Sequence, residues 1–254
     1  MAYENNEKKS AIITGGGGFI GRQIAKRFSK EGYALVLCDF NLENAQNVAD
    51  EIIADGGLAI AIQTNVKEYD DACIAVNKTI EDYGKVDQLV CVAGGSTRDK
   101  MCYFCDQDKD VFLDNVGVNL IGAMLFAHAV SKHMADRKSG NIVFIGSVLG
   151  SQGMRKSAEY SAAKGGVITF TKALAMEMAE FGVRVNCVSP GLVERGSGDV
   201  SNTNYIGRNC TGDEIANAVA FLASNEASFV IGHNLVVDGG WGLGVQYGVK
   251  PGRY

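Results

Sequence analysis

The sequence predicts an α/β fold, a doubly wound parallel sheet with helices on both faces, in a single domain over residues 1–254. Three observations carry this expectation. Short apolar runs alternate with longer segments of helical period, strand then helix, which is the rhythm of right-handed βαβ units. Runs such as Ala34-Leu-Val-Leu-Cys38 are continuously apolar and so suit parallel strands covered on both faces. Nothing in the chain resembles an interdomain linker or an internal repeat.

In chain order, the first strand is 11–14, and a glycine run separates it from a helix over 19–31. The apolar runs 34–38 and 58–63 are the second and third strands, followed by helices over 42–55 and 67–83. A fourth strand, 88–93, precedes a long helix over 108–136, and a fifth, 141–145, precedes a helix over 158–181. In that last helix Val167, Phe170, Ala173, Leu174 and Met178 recur at three- and four-residue spacing, the stripe of an amphipathic helix. Strands at 184–189 and 234–237 flank a helix over 212–223. Residues 191–211 break the rhythm: they are polar, rich in Gly, Ser and Asn, and of a length expected of a functional or a mobile loop.

Composition narrows the function. Apolar residues are 46% and charged residues 21%, an ordinary balance for a packed core, and the net charge of −5 argues against a nucleic-acid or membrane-surface binder. The 32 glycines show no collagen period, and Pro190 and Pro251 are the only prolines. Residues 1–9 form a flexible polar N-terminus with no apolar signal core. Seven scattered cysteines, an odd number, do not read as a disulfide framework, and those in apolar runs (Cys38, Cys91, Cys187) behave as small hydrophobes. A cytoplasmic protein is expected. Cys102-Tyr-Phe-Cys105 stands alone, without the further ligands zinc needs, so no metal site is expected.

Two groups of residues point to chemistry. The first strand runs into Thr14-Gly-Gly-Gly-Gly-Phe-Ile-Gly21 and then a helix, a turn that lets backbone approach a pyrophosphate at the positive end of the helix. Asp39 closes the second strand, where a carboxylate accepts both hydroxyls of an adenosine ribose and repels a 2′-phosphate. No Arg or Lys between residues 31 and 66 offsets that repulsion, so NAD is expected over NADP. In the second group, Tyr160 and Lys164 lie four apart on one helix face. Ser147 follows the fifth strand at the carboxyl edge where open parallel sheets bind ligands, and Asn119 sits in the long helix before it.

Taken together, these motifs resemble the short-chain dehydrogenase/reductase family, in its compact single-domain branch, over nearly the whole chain. The matching positions are the glycine turn, Asp39, Asn65-Val66, Ala93-Gly94, Asn119, Ser147, Tyr160, Lys164, Pro190-Gly191 and Val237-Asp-Gly-Gly240. The resemblance implies a seven-stranded Rossmann sheet and a homotetramer, or a homodimer. It places the dinucleotide against Gly15, Gly17, Gly18, Phe19, Ile20 and Gly21, then Asp39 and Phe40, Asn65 and Val66, and Ala93 and Gly94. Tyr160, Lys164, Pro190, Gly191 and Val193 complete that set.

By the same resemblance, Tyr160 is the acid/base of a hydride transfer between NAD(H) and a secondary alcohol or ketone. An ordinary tyrosine has a pKa of about 10, too high for a base near neutrality. The ammonium of Lys164 and the charge of oxidised nicotinamide both favour the phenolate. Ser147 hydrogen-bonds the substrate oxygen, Lys164 also holds the nicotinamide ribose, and Asn119 orients a water-linked proton path.

The sequence departs from the family at three places. Phe19 stands where the compact branch usually has glycine, Cys91-Val92-Ala93-Gly94 replaces Asn-Asn-Ala-Gly, and 191–213 is shorter than usual, with Arg195 in place of a Thr. A short lid leaves a more open site, a lid from another segment, or impaired turnover. Two alternatives therefore stand beside the main reading: a 3-oxoacyl-thioester reductase, suggested by Thr97-Arg98-Asp99 although that class generally prefers NADPH, and a dinucleotide-binding scaffold.

Substrate choice is expected in 95–107, 148–157 and 192–211. These carry Arg98, Lys100, Arg155, Lys156, Arg195 and Arg208 beside Asp99, Asp106, Glu194 and Asp199: either a solvated rim or a mouth for a polar or anionic small molecule. Met101, Tyr103, Phe104, Leu149 and Met154 leave a hydrophobic ligand open. His128 and His133 read as surface or interface residues, and 227–238 with the tail 241–254 as subunit contacts.

Overall fold

The computed structural model describes residues 8–96, 100–194 and 204–243. Seven parallel strands form one sheet: β1 (Ser10–Thr14), β2 (Ala34–Asp39), β3 (Leu58–Gln63), β4 (Gln88–Cys91), β5 (Gly140–Ile145), β6 (Val183–Pro190) and β7 (Asn234–Val237), in the order β3-β2-β1-β4-β5-β6-β7. Strand order reverses between β1 and β4, and the carboxyl ends of these two neighbours open a crevice between them.

Helices α1 (Phe19–Lys30), α2 (Leu42–Ala54) and α8 (Gly212–Ala223) cover one face of the sheet; α3 (Tyr69–Tyr83), α5 (Gly122–Arg137) and α7 (Ala158–Ala179) cover the other. Strands β1 to β6 feed both cores, because successive side chains point to opposite faces. Ile13, Leu35 and Leu37 pack under α1 and α8, whereas Ile12, Val36 and Cys38 pack under α3 and α5. Burial pushes the Cys38 thiol up to about 12 and Cys187 to about 11, and all seven cysteines are free.

Several boundaries differ from the sequence expectation. β4 ends at Cys91 rather than at 93, because the N–H groups of Val92 and Ala93 both donate to Thr14 Oγ1 at 3.1 Å instead of continuing the ladder. The third helix starts at Tyr69 rather than 67, since Asn65 Oδ1 holds the Lys67 N–H in a turn ahead of it. The long helix is two helices, α4 (Lys109–Val116) and α5, joined through a π-helical turn, Gly117–Ile121. By length and composition alone, Lys109–Arg137 could cross a membrane; here Phe126, Ala127, Val130 and Met134 are fully buried against the sheet.

A short helix that the sequence pattern does not announce, α6 (Val148–Gln152), begins at its N-cap Ser147. On α7, Val167, Leu174 and Met178 are buried as expected, but Ala173 is exposed and Ala175 takes its place in the core. His133 is no plain surface residue, because its Nε2 accepts the Val86 N–H at 3.1 Å and burial lowers its pKa. His128 Nδ1 lies 3.0 Å from the Tyr69 hydroxyl. Residues 1–7, Thr97, Arg98, Asp99, Arg195, Asp199 and the tail from 244 onward lie outside the described residues, as does the middle of the 192–211 loop.

Candidate active site

The crevice has an outer and an inner part. The outer part, about 540 Å³, lies over the glycine turn and the ends of β2 and β3; the inner part, about 300 Å³, lies between β4, α6, α7 and the end of β6. Ile20, Val92 and Gly94 line both, so the two are continuous.

The glycine turn forms the outer wall. Gly15 has φ +65°, a left-handed conformation that disfavours any side chain, and a Cβ there would come within 2.9 Å of the Ala93 backbone. Gly18 is the N-cap of α1, with no side-chain cap and no acidic residue in the first turn. The first N–H groups of α1 are therefore left for an anion, whereas those of Gly16, Gly17 and Gly18 are taken by Cys38 O, Asp39 Oδ2 and Gly15 O. Asp39 closes the floor: its carboxylate accepts from the Gly17 N–H (Oδ2, 3.0 Å) and the Asn41 N–H (Oδ1, 3.0 Å), which ties the turn to β2. The cap of α2 is Asn41, not Asp39.

Of the residues expected to hold a dinucleotide, Gly15, Gly18, Phe19, Ile20, Gly21, Asp39, Phe40, Asn65, Val66, Ala93 and Gly94 line the outer crevice. Tyr160, Lys164, Pro190, Gly191 and Val193 line the inner part. Gly17 lines neither part; a Cβ on it would meet Asn44 and Ala45 of α2 at 2.7 Å, so its role is to let α2 approach the turn. Sequence reasoning missed Lys67, Asp114 and Val118 on the outer wall. Lys67 Nζ and Asp114 Oδ1, 2.6 Å apart, bridge two elements 47 residues apart, a pairing that no local pattern announces.

The inner part gathers Ser147, Tyr160 and Lys164 on one wall. Ser147 Oγ accepts the Leu149 N–H at 3.2 Å as the cap of α6, which leaves the hydroxyl proton for a donor role. Lys164 is 4% exposed; its ammonium donates to Ile145 O at 2.8 Å and lies 5.8 Å from the centroid of the Tyr160 ring. The thiol of nearby Cys91 is raised far above its ordinary value by burial, against the opposing pull of that ammonium.

Asn119 sits in the π turn, facing Gly95. Its Oδ1 accepts the Gly95 N–H at 3.0 Å, and its Nδ2 donates to Gly95 O (3.0 Å) and Asn115 O (2.9 Å). These bonds pin the loop after β4, with Thr14 holding its other end. The turn thus keeps its shape although Cys91-Val92 stand where the family has two asparagines. A Cβ on Gly94 would fall 2.4 Å from Asn119 Oδ1 and 3.4 Å from Lys164 Nζ, which places the three in one contact group. Met101, Leu149, Met154 and Trp241 make the rest of the inner wall largely apolar, whereas Tyr103 and Phe104 are exposed outside it.

Beyond β6, the chain returns to α8 through Arg208, whose guanidinium grips Glu214 in two hydrogen bonds of 2.8 and 2.5 Å. Glu214 also completes a capping box with Thr211. Chiefly the Arg208 hydrogen bond holds the Glu214 carboxyl down at about 2, against an ordinary 4.5. The unfolded chain therefore binds this proton first, so the stabilisation is complete above about pH 4.5 and disappears as pH falls towards 2. Both side chains are partly exposed, so the effect is below about 1 kcal/mol. Protection factors for amide exchange across 204–211, taken against the intrinsic rate at each pH, are expected to fall over that window, and Arg208→Gln to show the lower protection already at neutral pH.

Comparison with known proteins bears on this arrangement. Residues 18–242 match a family model described as enoyl-(acyl carrier protein) reductase. The chain is 35% identical over 248 residues to the (2S)-[(R)-hydroxy(phenyl)methyl]succinyl-CoA dehydrogenase subunit BbsD of Thauera aromatica, covering 93% of this chain and 98% of that protein. It is likewise 35% identical over 245 residues to the 3-oxoacyl-[acyl-carrier-protein] reductase FabG of Escherichia coli (strain K12), with 93% and 98% covered. Among solved structures, an NAD+-bound xylitol dehydrogenase superposes with a TM-score of 0.87 at 28% identity, over 91% of this chain and 98% of that one.

Proposed function

The chain belongs to the short-chain dehydrogenase/reductase family, and we propose that it is an NAD(H)-dependent enzyme interconverting a secondary alcohol and a ketone, with Tyr160 as its acid/base. One observation carries this reading: Ser147, Tyr160 and Lys164 share the inner wall of a crevice whose outer wall is the glycine turn and Asp39. The residues fit a dinucleotide, because the uncapped start of α1 suits the pyrophosphate and Asp39 suits the adenosine ribose. Bound nicotinamide supplies the hydride acceptor or donor. The chain's own groups do the rest. Ser147 donates a hydrogen bond to the substrate oxygen and keeps its proton, while Tyr160 takes the carbinol proton in oxidation or returns one to the carbonyl in reduction. The Lys164 ammonium, held by Ile145 O, favours the phenolate electrostatically.

Asp39 makes the choice of NAD testable. Asp39→Ser is expected to lower the NAD-to-NADP ratio of kcat/KM by about tenfold to a hundredfold, the scale of one charge-assisted hydrogen bond. The ratio is the measurement to use, because losing the Gly17 and Asn41 contacts loosens the turn for both cofactors alike. A ratio unchanged in the variant places cofactor choice elsewhere. The second reading, reduction of a 3-oxoacyl thioester, is favoured by the likeness to 3-oxoacyl-[acyl-carrier-protein] reductases. Parallel assays of ketones, alcohols and 3-oxoacyl thioesters with NADH and NADPH separate the two; binding of NAD with no turnover of any of them leaves only a scaffold.

We further propose a cytoplasmic location, a reading that the free thiols support. The enzyme is also proposed to assemble as a homodimer or homotetramer. Supporting this, Phe229, Ile231 and Val236 at the β7 edge of the sheet, and Met176 on the adjoining α7, are all exposed, and edge strands of this kind invite pairing.

A further inference from the structure

Next along the chain from Met101 and Met154, which line the inner crevice, two cations share one aromatic ring. The Arg155 guanidinium lies 5.2 Å from the centroid of the Tyr103 ring and the Lys156 ammonium 5.0 Å from the same centroid. Arg155 also donates a hydrogen bond to the Tyr103 hydroxyl. Cation–π attraction holds each charge to the ring, while the two charges repel each other. Neither ion-pairs with a carboxylate among the described residues, whereas Arg22, Lys26, Lys67, Lys78, Arg137 and Arg208 all do.

The loop that presents these charges is built, not slack. Met154 donates its N–H to Ser161 Oγ at 3.1 Å, and Ser161 Oγ donates to Ser157 O at 2.8 Å, which clamps 154–157 to the first turn of α7. Lys156 has φ +65°, an uncommon conformation for a side chain with a Cβ, and one that costs free energy unless its surroundings enforce it. The residues that turn inward from the same two segments, Met101 and Met154, line the inner crevice. A largely apolar chamber of about 300 Å³ thus lies beside the two cations, joined to them through Met154 and Met101.

We infer that the substrate is amphiphilic: an apolar ring or short chain bearing the alcohol or ketone, with an oxyanion, carboxylate or phosphate, held at Arg155 and Lys156. This rests on the oxidoreductase reading above and adds to it the class of substrate. The anion relieves the repulsion between the two cations, and guanidinium and carboxylate pair in a bidentate geometry. Because the contact lies away from the reacting carbon, it is the same in ground and transition states, so its loss appears in KM more than in kcat.

The test uses ketones matched in their reacting end: 4-oxopentanoate and 4-oxocyclohexanecarboxylate, the methyl ester of each, and the coenzyme A thioester of each. Wild type is compared with R155Q/K156Q and R155E/K156E. The expected result is an acid-to-ester ratio of kcat/KM of tenfold or more in wild type. That ratio falls to near one in the glutamine variant and inverts in the glutamate variant. Because it is internal to each protein, a folding defect does not mimic it. A thioester preferred over the acid, with the same variant response, assigns the oxyanion to the coenzyme's phosphates. Acid and ester turned over equally in wild type overturns the inference and leaves the oxidoreductase reading standing. So does a preference that survives both variants. If no compound is turned over with either cofactor, the oxidoreductase reading falls first, and the inference with it.

Discussion

Replacing Tyr160 by Phe is expected to lower turnover by about a hundredfold or more while leaving the fold and dinucleotide binding in place, since a positioned acid–base group contributes about 10²–10⁴. The substitution removes one oxygen atom and keeps the ring, so the packing of α7 on the crevice is preserved. What is lost is the phenol hydroxyl that shares the inner crevice with Ser147 and the Lys164 ammonium. Ser147 is the weaker candidate, because its oxygen already accepts the Leu149 N–H as the cap of α6. A hundredfold loss corresponds to roughly 2.7 kcal/mol of transition-state stabilisation. Three measurements check the assignment. Single-turnover rates should fall with the steady-state rate. The cofactor-induced rise in melting temperature should match that of wild type. The decline of alcohol oxidation at low pH should vanish in the variant, because no phenol remains to be protonated. A variant with near-normal turnover removes Tyr160 from the chemistry and leaves only the dinucleotide crevice.

How far the sequence announces this site depends on the range of the interaction. β3 and β7 fall where the apolar runs place them, and α8 begins and ends as its period requires, because an apolar run or an apolar stripe is a local pattern. The glycine turn and the Tyr160–Lys164 spacing are likewise local. Features set by tertiary contact are not. The π turn at Gly117–Ile121 turns Asn119 onto Gly95, 24 residues away, and nothing within the helix itself specifies the extra residue. Helix α6 is five residues long, too short for periodicity to register, and its one sequence sign is the cap-and-stop pair Ser147 and Gly153. Gly17 looks like one more phosphate-cradling glycine in a run of four. Only the packing of α2 shows that it serves the helix behind the turn. Arg155 and Lys156 are visible as charges, but their gathering on Tyr103, 52 residues before Arg155, is not.

The glycine turn supports the second large effect, and the glycines within it are not equivalent. A Cβ on Gly21 would lie 2.0 Å from the Gly15 carbonyl oxygen and 3.0 Å from Gly16 Cα, both backbone atoms that no rotamer change can clear. A Cβ on Gly18 would find only that same carbonyl, at 3.2 Å, and Gly18 has an ordinary φ of −77°. Gly21→Ala is therefore expected to cost about 2–4 kcal/mol even though alanine is the better helix former by roughly 1 kcal/mol, because the overlap forces α1 off β1. Gly18→Ala is expected to stay within about 1 kcal/mol of wild type. For a chain of this size, the first change lowers the melting temperature by roughly 5–15 °C. It also displaces the start of α1 from the crevice, so the stabilisation that saturating NAD gives the wild type, about 2.7 kcal/mol at a hundred times Kd, should be lost as well. Thermal melts of both variants with and without NAD read the two effects separately. If Gly21→Ala melts with the wild type and is stabilised equally by NAD, α1 does not press on the Gly15 carbonyl, and the turn is not the rigid cradle on which dinucleotide binding is argued to depend.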